Sequence, residues 1–293
     1  MRRYYGEIGL IITAIIWGSG FVATAVSLEY YTPYQSMAIR FLVGGIILSI
    51  VFFNKLKSVN KKLLTKGVIL GKILYSAFAL QTVGLQFTTP SKNAFLTAVN
   101  VVIVPLLGFL IYKKRLNRFE VIGSVLAITG VGTMSLQLTG VINIGDLLTL
   151  FCAFAFALHI IYTATYVKDE DPILLTLIQL LTAAVIGMVV LLLKSEMAMP
   201  LSGQALLPVI YLGIFSTTIA YLLQTIAQKN VAETKAAIIL STEAFWGMLF
   251  SVVLLGELIT LRMAIGAGLI LLAIFVTETK LSFITRRQLR SRI

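Results

Sequence analysis

Four positions in this sequence carry chemistry that their surroundings do not. Arg40, Glu243 and His159 each stand inside a long apolar run, and Ser19 sits in the stretch Trp17-Gly18-Ser19-Gly20-Phe21. An arginine offers a fork of donors suited to a carboxylate or phosphate. A buried glutamate can carry a proton or answer a cationic group, and a lone histidine can relay protons or serve as a hydrogen-bonded packing residue. A serine paired with a histidine would point to nucleophilic catalysis. Which of these holds depends on the elements that position them.

The composition decides the class of those elements. Of 293 residues, 58% are hydrophobic and 12% charged, and the mean hydropathy is +0.96. A soluble domain carries about twice that charged fraction. Turn signals and charges cut the chain into ten apolar spans, at 7–27, 33–53, 67–85, 91–111, 118–136, 144–166, 172–193, 206–227, 235–255 and 261–278. About 20 apolar residues in a helix cross a bilayer core of about 30 Å. The strand-sized alternation of a membrane β-barrel is absent. The expected fold is therefore all-α and polytopic, with ten transmembrane helices. The first span runs too long for a signal peptide and lacks a convincing cleavage site, so it reads as a helix of the mature protein.

The net charge of +12 would suit nucleic acid if it were gathered on one face. It is not. Of the 24 Lys and Arg, nineteen fall at the termini and in alternate loops, three (Lys92, Lys194, Arg262) fall on the opposite side, and Arg40 and Lys72 are embedded. That distribution is membrane topology, with both termini cytoplasmic and an even number of spans. Nucleic acid is excluded as a partner; the lipid bilayer is implied as one. The tail 281–293, which contains "RRQLRSRI", reads as a basic cytoplasmic segment, either solvated or lying on anionic lipid.

The two halves of the chain resemble each other. "GEIGLIITA" from Gly6 and "GDLLTLFCA" from Gly145 open equivalent spans, and Pro33 matches Pro172 at the same offset. Residues 5–137 and 143–280 then hold five spans each. An odd number of spans forces the halves to insert with opposite orientation, an arrangement associated with alternating access around a midplane site.

Counting depth at about 1.5 Å per residue brings Trp17 to the bilayer centre, with Gly18, Ser19, Gly20 and Phe21 just beyond. Two readings compete for this stretch. The small residues either allow close helix packing or thin the helix where a pocket opens, with Trp17 as its wall. Tyr75, Asn100, Ser216, Thr217 and Trp246 reach the same middle layer, and His159 and Tyr162 the inner one. A layer this rich in aromatics and hydroxyls fits a solute cavity. Arg40 and Glu243 differ in depth by about 8 Å, a gap that an arginine side chain largely covers. They are either structural, as an ion pair or as separate groups hydrogen-bonded to backbone, or they serve transport: Arg40 for a substrate carboxylate, Glu243 for proton coupling or substrate charge.

At this point the residues resemble a known family. "IIWGSGFVATA" (15–25), "RFLVGG" (40–45), "LQFTTPSKNAFLTAVNVVIVPLLG" (85–108) and "STEAFWGMLFSVVLLGELIT" (241–260) are similar to the corresponding segments of the EamA domain of the drug/metabolite transporter superfamily. The resemblance covers essentially the whole chain. It implies two inverted five-helix repeats and a central cavity lined chiefly by the first, third, fourth, sixth, eighth and ninth spans. It also implies export of an amino acid or another metabolite. The sequence departs from the family pattern at Lys114-Arg115, where the second half keeps Gly256-Glu257, and at Glu243-Ala244, where relatives often have Glu-Pro.

The rival functions fare worse. Ser19 lies about 18 Å from the cytoplasmic edge and His159 about 8 Å, too far apart in depth to hydrogen-bond. No catalytic residues are assigned, and there is no metal cluster, ATP-binding motif or cofactor signature. A channel lacks a filter loop or charged ring, and a non-transporting sensor or scaffold remains the other alternative. The expectation is a carrier of a small organic solute, an amino acid, another metabolite or a drug-like cation, working outward across the bacterial cytoplasmic membrane as a monomer or homodimer.

Overall fold

The computed structural model describes residues 5–113, 117–135 and 143–279. The tail 281–293, the Lys114-Arg115 pair and the ends of the expected repeats at 136–137 and 280 lie outside the described residues. What is described is helical, with no strand. The elements are α1 (Tyr5–Ser27), α2 (Pro33–Val51), α3 (Lys61–Leu85), α4 (Pro90–Ala98), α5 (Asn100–Tyr112), α6 (Arg118–Ser135), α7 (Ile144–Tyr166), α8 (Pro172–Lys194) and α9 (Gly203–Tyr211). A π-helical segment, Leu212–Ile219, joins α9 to α10 (Ala220–Gln228), and α11 (Glu233–Ser241), α12 (Glu243–Leu255) and α13 (Leu261–Thr279) follow.

Several of these pieces join into longer rods. Pro90–Ile111, Gly203–Gln228 and Glu233–Leu255 each run as one apolar helix, and with α1, α2, α3, α7 and α8 they make eight helices long and apolar enough to cross a membrane among the described residues. At the two remaining expected spans the apolar helices are shorter, Val121–Thr133 and Leu261–Val276.

The helix starts follow from local chemistry. Pro33, Pro90 and Pro172 each occupy the first turn of a helix, where the missing N–H has no partner to lose. Thr32 closes a capping box with Gln35, and Thr89, Asn143 and Asp171 accept from the first free backbone N–H groups of α4, α7 and α8. Capping of this kind stabilises a helix end by about 1 kcal/mol.

The largest helix contacts all run between the halves: α6 on α13, α3 on α7 and α8, α2 on α8, and α1 on α12. Large apolar side chains such as Ile50 and Leu193 point outward, at 71% and 80% exposure, as expected of a surface solvated by lipid chains. Corresponding positions in the halves make corresponding ion pairs. Lys92, near the start of α4, lies 3.2 Å from Asp146 on α7, and Lys235, near the start of α11, lies 2.7 Å from Glu7 on α1. The single Cys152 is fully buried on α7.

A cluster of charge ties the α2–α3 connection and the start of α3 to the α7–α8 turn. Lys66 meets Glu170 at 2.7 Å, and Lys55 meets Asp171 at 2.6 Å. Burial alone would raise the pKa of Asp171, but the Lys55 ammonium and the N–H groups of Leu174 and Ile173 outweigh it and hold the carboxyl below the usual range. A carboxylate with a depressed folded-state pKa contributes stability above its unfolded pKa and loses it as pH falls through the folded value. Asp171→Asn keeps the helix cap and removes the charge. In detergent it should unfold at a lower temperature than the parent at about pH 7, and the difference should fade below about pH 4, as followed by thermal unfolding.

Candidate functional site

The site begins with a defect in a helix. Residues Leu212–Ile219 are wound as a π-helix, whose longer hydrogen bonds leave backbone groups in need of partners and which recurs at functional positions. Side chains supply those partners. The Trp17 indole N–H donates to the Ser216 carbonyl at 3.0 Å, and the Thr218 hydroxyl donates to the Gly213 carbonyl at 2.7 Å. Just beyond the segment, the Thr13 hydroxyl reaches the Ala220 carbonyl at 3.3 Å.

Arg40 of α2 docks on the same segment. Its Nε donates to Thr217 Oγ1 at 2.9 Å and its Nη2 to Ser216 Oγ at 3.0 Å. The guanidinium lies 4.2 Å from the centre of the Phe78 ring, an attraction that strengthens once water is excluded. Phe78 in turn meets Phe41, Phe156 and Tyr221 edge-on, at 5.4, 5.3 and 6.0 Å. Tyr221 continues the aromatic wall to Trp17 at 5.0 Å and to His159 at 5.7 Å.

These groups surround a cavity between the halves. Trp17, Gly20, Phe21 and Thr24 of α1, Arg40 of α2, and Phe78 and Gln81 of α3 line one part. Asn100, Phe156, His159, Ile160, Ser216, Tyr221, Gln224, Leu240 and Glu243 line the rest. Glu243 is 5% exposed, and no hydrogen bond or ion pair to its carboxylate is seen among the described residues. It does not pair with Arg40, whose donors go to the two hydroxyls instead. His159 Nε2 lies 2.7 Å from Gln179 Oε1, so it is both a hydrogen-bonded packing residue and part of the wall.

Other expected site residues lie outside the wall. Ser19 donates to the Ile16 carbonyl at 2.7 Å and shares a 2.6 Å hydrogen bond with Tyr211. Thr217 is fully buried behind Arg40. Tyr75 packs near Phe41, 6.3 Å between ring centres; Tyr162 pairs with Tyr166 at 5.6 Å; Trp246 stacks near Phe250 at 6.2 Å. Conversely, Phe78, Phe156 and Tyr221 are wall residues that the sequence reading did not single out. An aromatic within an apolar run gives no signal of which way it faces. Of the embedded amides, Asn93 Nδ2 joins α4 to Thr149 at 2.8 Å, Gln81 lines the cavity and also reaches Thr97 at 3.1 Å, and Gln224 faces the cavity.

The small residues of the opening stretch sit in different surroundings. Gly18 is the packing residue: a Cβ there would come 2.3 Å from Trp246 Cβ and 2.9 Å from the Gly247 backbone nitrogen. Gly20 is the cavity residue, where a Cβ would stand 2.8 Å from the Ser216 Oγ that holds Arg40.

Comparison with known proteins accords with this architecture. The sequence profile of the EamA-like transporter family matches residues 4–136 and again residues 143–279. The chain belongs to the EamA-like transporter family. An uncharacterized transporter of Archaeoglobus fulgidus is 30% identical over 96% of this chain and 88% of its own length. The uncharacterized transporter YyaM of Bacillus subtilis is 26% identical over 95% of each chain. A crystal structure with 17% sequence identity superposes with a TM-score of 0.72 over 94% of this chain and 98% of that one, showing a shared fold. This EamA-family chain is thus a multi-pass membrane protein of a transporter family, and the family points away from an enzyme.

Gly18→Ala should force α1 away from α12 and destabilise the fold by about 1–3 kcal/mol, the range typical of overpacking. Gly108→Ala, where a Cβ would meet nothing within 4 Å, serves as the control and should show no such loss in a thermal-unfolding assay in detergent.

Proposed function

We propose that this EamA-family transporter is a secondary carrier that moves a small organic solute outward across the bacterial cytoplasmic membrane by alternating access. The observation that carries this reading is the buried cavity shared by both halves, which holds two charged residues that do not pair with each other. A charge kept in the membrane interior without a protein counter-charge is costly and is the mark of a solute or ion path. Residues 5–137 and 143–280 act as two inverted five-helix repeats, ten spans in all with both termini cytoplasmic. The equivalent ion pairs Lys92–Asp146 and Lys235–Glu7 support this, as does the twofold match of the family profile.

In this reading Trp17 is a wall of the solute cavity, because it lines the cavity and its indole holds the π-helical segment. Energy comes from a gradient, and Glu243 is the carboxylate of the cavity wall through which a proton gradient would act.

Purified protein in proteoliposomes should show transient counterflow of a radiolabelled solute drawn from a panel of amino acids, nucleosides and organic cations. Trp17→Ala should slow it by about tenfold, equivalent to about 1.4 kcal/mol, and Trp17→Phe should fall between. Non-saturable flux would favour a channel; well-folded protein with no flux would favour a sensor or scaffold.

A further inference from the structure

One carboxylate has no part in the cavity and yet joins the two halves. Glu257 follows Gly256, which ends α12 with φ at +66°, the left-handed conformation that favours glycine. The turn leaves Glu257 facing the start of α4, in the other half of the chain. Its Oε2 accepts from the Ser91 N–H at 3.1 Å and from the Ser91 hydroxyl at 2.7 Å. The Ser251 hydroxyl of α12 donates to the same oxygen, while Oε1 is enclosed without a partner.

A helix start carries unpaired N–H groups and a partial positive charge, and an anion answers both. In α4, Pro90 has no N–H to satisfy, Thr89 accepts from the Lys92 N–H, and Glu257 takes the group between them. The first turn of α4 is thus completed by a residue of the second half. Asp146 of α7 grips the same end. Fully buried, it meets Lys92 at 3.2 Å and accepts from the Thr88 hydroxyl at 2.5 Å.

The counterpart of α4 in the second half, α11, is built differently. Its acidic residue, Glu233, lies in its own first turn. The sequence position matching Glu257 is Arg115, a group with no acceptor. The ion pair at that end, Lys235–Glu7, leaves the Lys235 side chain 54% exposed, against 20% for Lys92, so water screens it more. Parting the halves at the start of α4 strips that helix of its anion. Parting them at the start of α11 leaves Glu233 where it is.

We propose that Glu257 is a latch between the halves: it holds the outer mouth shut and makes the outward-closed form the resting state of the carrier. This rests on the topology and carrier reading above, which put the start of α4 on the outer side and the start of α11 on the inner. The orphan Oε1 keeps the latch releasable, because water satisfies that atom once the ends part.

Hydrogen–deuterium exchange on the full chain in nanodiscs tests this without a solute. Glu257→Ala should speed exchange at the starts of α4 and α7 by about fivefold, the shift that losing one helix cap gives. In the same protein it should slow exchange at the starts of α1 and α11, because the two ends open in alternation. Glu257→Gln, which keeps the shape and one acceptor, should move both ends in the same directions by less. Lys235→Ala should reverse the pattern. Faster exchange confined to the first turn of α4 would make Glu257 a helix cap and nothing more. Faster exchange at both ends in both Glu257 variants would give it a role in folding alone. Either result overturns the latch. Counterflow by the parent protein keeps the two readings apart. If a solute exchanges and the reciprocal pattern is absent, the latch falls and the carrier stands; if the pattern is present and nothing exchanges, the carrier falls and the two-ended switch stands.

Discussion

A guanidinium held at 2% exposure within a membrane-spanning helix sets terms for everything around it. Insertion scales charge about 2.5–3.5 kcal/mol for an arginine at the centre of a membrane helix, so its donors must find acceptors inside the protein. In this chain they find two neighbouring hydroxyls, Ser216 and Thr217. In a regular α-helix consecutive side chains diverge widely around the axis; the wider turn of the π-helical segment brings them closer in direction. That wider turn leaves a carbonyl for Trp17 to cap, and Trp17 in turn fixes α1 against the segment. Removing Arg40 would therefore disturb more than a charge: the π turn, the indole contact and the position of Phe78 are parts of one arrangement.

The same arrangement explains where small residues are needed. Ser216 must approach α1 to serve Arg40, and Gly20 leaves the room. The α1–α12 crossing at Gly18 is closer still, and it brings the start of α12 with Glu243 to the cavity. Close crossings between halves, rather than hydrophobic burial, hold helices together where the surrounding lipid is as apolar as the interfaces themselves.

Much of this was legible from the sequence, for a reason that also marks its limit. Apolar run lengths and charges report position along the membrane normal, so eight membrane-length helices and the proline starts at Pro33, Pro90 and Pro172 could be read, and the depths of Arg40, Asn100 and Glu243 could be counted. They do not report rotation about the helix axis. In a soluble helix the polar face gives that rotation away, but a helix bathed in lipid is apolar all round. Hence Tyr75 and Trp246 belong to the expected middle layer and Tyr162 to the inner one, yet none of the three lines the cavity, whereas Tyr221 does. The π-helical segment was beyond reach for a related reason, since "LGIFSTTI" has the composition of an ordinary membrane helix and the wider winding follows from the tertiary partners Trp17 and Arg40. A pairing of Arg40 with Glu243 was suggested by depth alone, and Arg40 instead finds nearer partners on a helix whose facing could not be read.

The lone thiol has a practical bearing. Cys152 is wholly enclosed within the protein, with Thr97 as its neighbour at 3.9 Å, so a membrane-impermeant maleimide has nothing to modify on the native chain. The wild-type protein is in effect its own cysteine-free background. Any single cysteine introduced into a loop would report which aqueous compartment that loop faces, without first altering a residue of the core.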